Sequence, residues 1–288
     1  MILKNKEGQV RLIWHLLLLV VPFLLVAYLL RYVPIRIQTR ILVGQGLPES
    51  AALSQARNLF LENPIGASSV GIVQGLLWYG LVCFLVRSLE KCPCRMRSFG
   101  LSLTRKSPVL MTLGFISGLM MCCGYFVVGS IFDPTPMGWT PVELGIFPIV
   151  LISLDMLVNG FGEETAFRAY WQRLLVDRHG LWLGILLAST SFVLLHLLIA
   201  RLTVIALLAG ILLACLFGIV FVWTDSIFLI GAMHATLNLV PRLLGTWPSD
   251  ISLLIVHSLA LAVTVILYLR FVKVARARMA NNDQSVGS

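Results

Sequence analysis

Charge is what this 288-residue chain has least of. Only 12% of its residues are Asp, Glu, Lys or Arg, about half the share a soluble domain carries. That shortage excludes an ordinary water-soluble globule. Acids are the scarcer sign, 13 against 22 basic residues. Repeats, low-complexity tracts and polar linkers are also missing, which excludes a solenoid or a string of soluble modules. The first apolar run is followed by LLRYVPIRIQTR, with no small-x-small cleavage pattern, so it reads as a retained anchor and not a signal peptide. No HExxH occurs, which excludes the two-histidine zinc helix of the zincins.

Apolar residues fill the space instead. They make up 58% of the chain, and the mean hydropathy is +0.92. Runs of about 20 apolar residues suffice to cross a bilayer as helices. The expectation is an all-α polytopic membrane protein with about eight transmembrane helices, near 12–30, 70–86, 109–132, 144–160, 182–200, 203–223, 226–241 and 251–270. The fourth and seventh runs are the least apolar. Between the first two lies a loop at 34–69, in which ESAALSQARNLFLE has helical spacing of Ala52, Leu53, Ala56, Leu59 and Phe60. Residues 133–142 read as a compact turn. The fourth helix is expected to run on to about 176, and the tail MANNDQSVGS to be disordered.

The net charge of +9 reads as topology, with no nucleic-acid partner. With an inside amino terminus, only Arg31, Arg36, Arg40, Arg57, Arg201 and Arg242 fall outside, 6 of the 22 basic residues. Lys4, Lys6 and Arg11, the cluster from Arg87 to Lys106, and Arg270, Lys273, Arg276 and Arg278 all fall inside. That bias follows the positive-inside rule and puts both termini in the cytoplasm. Cys83, Cys122, Cys123 and Cys215 fall in spans and read as small apolar packers. Cys92 and Cys94, in KCPCR, fall on the reducing side and read as structural or neutral.

Against this background a few polar residues stand out. Glu163, Glu164 and Arg168 lie in GFGEETAFR, His196 in FVLLHLL, and His234 and Asn238 in GAMHATLN. Ionisable groups at membrane depth cost a few kcal/mol or more and are by default functional. Glu164 and Arg168 are four apart with the acid first, the favoured order for a helical ion pair. Glu163 is turned about 100° away, which leaves it available as a general base or a metal ligand. His234 and Asn238 share a helix face and could donate to an oxyanion. Phe192 and His196 also share a face, so the ring could wall a pocket and pack on the imidazole. A rise of about 1.5 Å per residue lets Glu163, His196 and His234 reach similar depths.

The bland readings are a buried structural pair for Glu164 and Arg168, and a packing network for Glu163, His196 and His234. Asp155 and Asn159 could line the same cavity, but packing is the simpler account. His15 and His257 read as interfacial or satisfied histidines, and His179 as a loop residue.

EETAFR, FVLLH and HATLN resemble the EExxxR, FxxxH and HxxxN motifs of the CPBP family of intramembrane proteases, which includes the CAAX prenyl endopeptidase. The resemblance covers about 144–245. It divides the chain into an amino-terminal transmembrane region at 1–143, a catalytic core at 144–245, and a last span with its tail at 246–288. It implies an intramembrane endopeptidase acting on a peptide or protein at the membrane, which could be prenylated. It also implies that Glu163 and His196 activate a water, that His234 and Asn238 stabilise the tetrahedral oxyanion, and that Glu164 and Arg168 support the site. Zinc is the cofactor to weigh, with Glu163, His196 and His234 as its three ligands and a fourth position open. Against it, Glu163 does not readily serve as both ligand and base. The alternative function is a non-enzymatic bacteriocin self-immunity or scaffold protein of the same fold. A bacterial inner membrane is the expected location, though an endoplasmic reticulum membrane fits the eukaryotic relatives equally.

Overall fold

The computed structural model describes residues 12–91, 99–132, 144–198 and 201–286. Lys4, Lys6, Arg11, Arg95, Arg97, Cys92, Cys94 and the turn expected at 133–142 lie outside the described residues. Among those described there is no strand. The helices are α1 (Leu12–Gly44), α2 (Glu49–Arg57), α3 (Pro64–Leu89), α4 (Ser107–Phe132), α5 (Ile146–Glu164), α6 (Arg173–His179), α7 (Leu181–His196), α8 (Val204–Thr224), α9 (Ile227–Leu244) and α10 (Asp250–Val286). Seven helices among the described residues are long and apolar enough to span a bilayer, and the shorter apolar helix α7 joins them. The chain is an all-α polytopic membrane protein. Leu25, Phe84, Met120 and Val263 stand exposed on helix surfaces, as lipid-facing side chains do.

Helix ends follow local chemistry. Pro64 opens α3 at a position that needs no backbone donor, and Asn63 Oδ1 accepts from Ile65 N at 2.9 Å and Gly66 N at 3.3 Å. Thr203 Oγ1 accepts from Ala206 N at 3.0 Å to start α8. Between α8 and α9, Asp225 takes a left-handed conformation (φ 47°) and Ser226 Oγ accepts from Phe228 N. Gly245, at φ +66°, closes α9.

Three expectations need correction. Residues 34–44 are not loop: α1 continues through Pro34 to Gly44, because neighbouring helices can re-satisfy the carbonyls a membrane proline frees. α3 begins at Pro64, so only 45–48 and a short π-helical turn, Asn58–Glu62, flank the expected surface helix α2. The tail continues α10 as far as Val286. In addition, Cys83 is disulfide-bonded and is not a simple packing thiol.

The helices form two compact units. One holds α1–α3, most of α4, α5 with the π-helical stretch that follows it, and α9. In this unit α5 is sandwiched between α3 and α9. A Cβ on Gly162 would stand 2.6 Å from Gly75 O, and one on Gly160 would stand 3.1 Å from Gly231 O. Small residues let membrane helices approach backbone to backbone. The carboxylates at the end of α5 are thereby brought against α9.

The other unit holds the end of α4 with α7, α8 and α10. Here His257 Nδ1 donates to Ala209 O at 2.8 Å and its Nε2 meets Tyr125 OH at 2.6 Å. His257 is a satisfied structural histidine, as its sequence position suggested.

Candidate active site

α5 does not end at Glu164. Its axis runs on as a π-helix, Thr165–Gln172, then as α6. π-Helical turns are uncommon and concentrate at functional sites. Every residue of this one is buried. Thr165 Oγ1 bonds back to Phe161 O at 2.8 Å, one way a hydroxyl perturbs the regular ladder. The stretch is held from outside as well. His15 Nδ1 of α1 lies 2.6 Å from Tyr170 OH. Phe167 packs edge-on against Trp78 of α3, with ring centroids 5.4 Å apart. Phe23 of α1 stacks on Trp78 at 3.7 Å.

Within this frame the ion pair read from the sequence is present. Arg168 Nε lies 3.3 Å from Glu164 Oε2, and both side chains are fully buried. Glu164 does more than pair with arginine: its Oε1 lies 2.8 Å from His234 Nδ1. A carboxylate can only accept, so Nδ1 carries the proton and the imidazole is held in one orientation. The opposite ring nitrogen, Nε2, stands 3.7 Å from Glu163 Oε2. That is longer than a direct hydrogen bond and is a separation a water can close. Glu163 therefore faces His234, with its side chain 22% exposed while that of Glu164 is at 0%.

Asn238 follows one turn after His234 on α9 and is half-buried. Among the described residues no hydrogen bond ties its amide. Phe192 and His196 belong to the other unit. Their rings meet edge-on with centroids 4.7 Å apart, the stacking their spacing suggested. His196 Nδ1 donates to Phe192 O at 3.0 Å, which leaves Nε2 as the basic nitrogen of the neutral ring. The first unit brings together Glu163, Glu164, Arg168 and His234. His196 is described only within its own unit.

A protein zinc site needs at least three side-chain ligands. Glu164 occupies Nδ1 of His234, so unit one offers Glu163 and His234 Nε2, two ligands. Among the described residues no three His, Cys, Asp or Glu side chains are grouped as a metal site needs. Within this unit the residues supply two of the three ligands of the expected zinc set, and the third, His196, belongs to the other unit.

A second polar group, Asp155 with Asn159, lies in the same unit. Asn159 Nδ2 donates to Asp155 Oδ1 at 2.6 Å and to Gly71 O at 2.8 Å, tying α5 to α3. Arg242, which reads as an outside residue, lies in the last turn of α9 with Nη1 4.0 Å from Asp155 Oδ2. The i, i+4, i+8 spacing of His234, Asn238 and Arg242 was the available signal. Asp155 and Asn159 thus tie α5 to α3 and α9, the packing contacts expected of them. His15 and Tyr170 carried only weak signals, a histidine and a tyrosine in apolar runs.

Residues 145–240 match the family model described as type II CAAX prenyl endopeptidase Rce1-like. The segment is CAAX-protease-like. It runs from the start of α5 to α9 and contains all three motifs. No curated protein and no solved structure matches the chain. The helices that clamp the π-helical stretch, α1 and α3, lie outside the CAAX-protease-like segment.

Proposed function

We propose that this protein is an intramembrane endopeptidase that hydrolyses a peptide bond of a protein substrate at the membrane. The observation that carries the reading is the line Glu163–His234–Glu164–Arg168. One end is sealed and charge-paired, and the other is partly open. A packing network has no use for an accessible carboxylate beside an oriented imidazole.

Glu163 takes a proton from a water resting against Glu163 and His234 Nε2. The resulting hydroxide adds to the scissile carbonyl carbon, and the electron pair of the C=O bond moves onto oxygen. The amide of Asn238 donates to that oxyanion, and the imidazolium form of His234, which carries a proton on both ring nitrogens, donates to it from Nε2. The intermediate collapses, the C–N bond breaks, and the leaving nitrogen takes the proton from Glu163. Glu164 orients the His234 ring and Arg168 balances the charge of Glu164. The part of His196 in activating the water rests on the resemblance of FVLLH to the family motif alone. No step is routed through a metal.

The match to a prenyl endopeptidase family supports a substrate with a lipid-modified carboxy terminus. The distribution of basic residues supports cytoplasmic termini, and a bacterial inner membrane is the proposed location.

The test is cleavage of a peptide library, prenylated peptides included, by purified protein and by Glu163→Ala, each with and without a strong chelator. Cleavage lost in the variant but kept under chelation supports the glutamate mechanism. Loss under chelation with recovery on adding zinc would replace it with a metal one. Silence of the wild type across the library would favour an immunity or scaffold role.

A further inference from the structure

The far end of α1 carries a feature unrelated to hydrolysis. Tyr28, Tyr32, Arg36 and Arg40 recur every four residues, so they share one face of the helix. With Val33 and Ile37 they line a shallow cleft of about 250 Å³. The buried positions of this part of α1 are Ile35, Thr39 and Leu42, so the cleft lies off the packed face. Tyr28 and Tyr32 stack at 4.7 Å and are 59% and 41% exposed. No acid lines the cleft, and no ion pair is formed by Arg36 or Arg40 among the described residues. Two guanidinium groups one turn apart repel each other, and an anion between them would relieve that repulsion.

Depth identifies the anion. Counted from Leu12, about 20 residues at 1.5 Å each cross the hydrocarbon core and end near Tyr32. Paired tyrosines belong at that boundary. Arg36 then lies roughly 6 Å beyond it, in the headgroup layer, and Arg40 roughly 12 Å beyond it, where its long side chain can reach back to that layer. Guanidinium groups match phosphate oxygens in bidentate geometry. We infer that the Tyr28–Arg40 face of α1 is a binding site for the phosphodiester headgroup of an anionic phospholipid. The acyl chains would lie along the exposed apolar surface of Leu25, Leu29 and Val33.

The test uses the purified full chain in detergent, with native mass spectrometry of adducts formed with phosphatidylglycerol and with phosphatidylcholine of the same acyl chains. Wild type should retain phosphatidylglycerol about tenfold better than phosphatidylcholine. R36Q/R40Q should lose that preference, while R57Q, which leaves the cleft intact, should keep it. Equal retention of the two lipids by wild type, or an undiminished preference in R36Q/R40Q, would overturn the proposal. Displacement of phosphatidylglycerol by millimolar inorganic phosphate would also overturn it, in favour of a free-anion site.

Discussion

Glu164 and His234, seventy residues apart, meet at 2.8 Å between a carboxylate oxygen and Nδ1. The same carboxylate holds Arg168 with its other oxygen. One side chain thereby links the π-helical stretch, α5 and α9. Replacing Glu164 with Ala removes the carboxylate from a fully buried arginine and the acceptor from the imidazole. Truncating one partner of a buried pair costs about 3 kcal/mol or more. The expected outcome is a large fall in the thermal unfolding midpoint of the detergent-solubilised protein, followed by tryptophan fluorescence. Glu164→Gln, which keeps an acceptor, should lose less stability.

Glu163 and Asn238 should behave differently from Glu164. Glu163 is accessible and does not belong to the buried pair, so Glu163→Gln should fold normally while the cleavage rate falls by about 10²–10⁴, the worth of a general base. Asn238→Ala should lower the cleavage rate by about 10²–10³, as for an oxyanion donor. Comparing unfolding midpoints with cleavage rates for the two variants checks this. A parallel loss of stability in Glu163→Gln would count against its role as the base.

Gly162 and Gly80 make a matched pair. A methyl group at Gly162 would press on Gly75 O at 2.6 Å, whereas at Gly80 it would meet nothing within 4 Å. Gly162→Ala should destabilise by about 1–3 kcal/mol, the usual cost of overpacking, and should reduce cleavage by shifting α5. Gly80→Ala should be neutral or slightly stabilising, since alanine is the better helix former by up to about 1 kcal/mol. Unfolding midpoints of both variants decide the point.

Tyr170 and His15 test whether α1 supports the site. Tyr170→Phe removes the hydroxyl 2.6 Å from His15 Nδ1. A cost of about 1–2 kcal/mol is expected. Combined with His15→Leu in a double-mutant cycle, the pair should show a coupling of at least about 0.5 kcal/mol. Additive effects would show that the contact is energetically idle.

Much of the fold was legible because hydrocarbon imposes few options: apolar runs of span length become helices. The ion pair of Glu164 with Arg168 was legible from spacing alone, and the edge-on packing of Phe192 on His196 from the same rule. What escaped were features set by tertiary contact. Pro34 reads as a boundary locally, yet α1 passes through it. The π-helical register of Thr165–Gln172 leaves no pattern in the sequence, because it depends on Trp78 and His15 bracing it from other helices. The facing of Glu163 toward His234 depends on how closely the glycines of α3, α5 and α9 let the backbones approach.

α7 has only 16 residues, a rise of about 24 Å, and His196 is its last residue. A hydrocarbon layer of about 30 Å outreaches it, so the bilayer must thin beside α7 or the helix end must sink below the headgroups. The imidazole is thereby placed where lipid composition governs its wetting. A membrane of longer acyl chains would carry His196 deeper into hydrocarbon, and a membrane of shorter ones would lift it toward water.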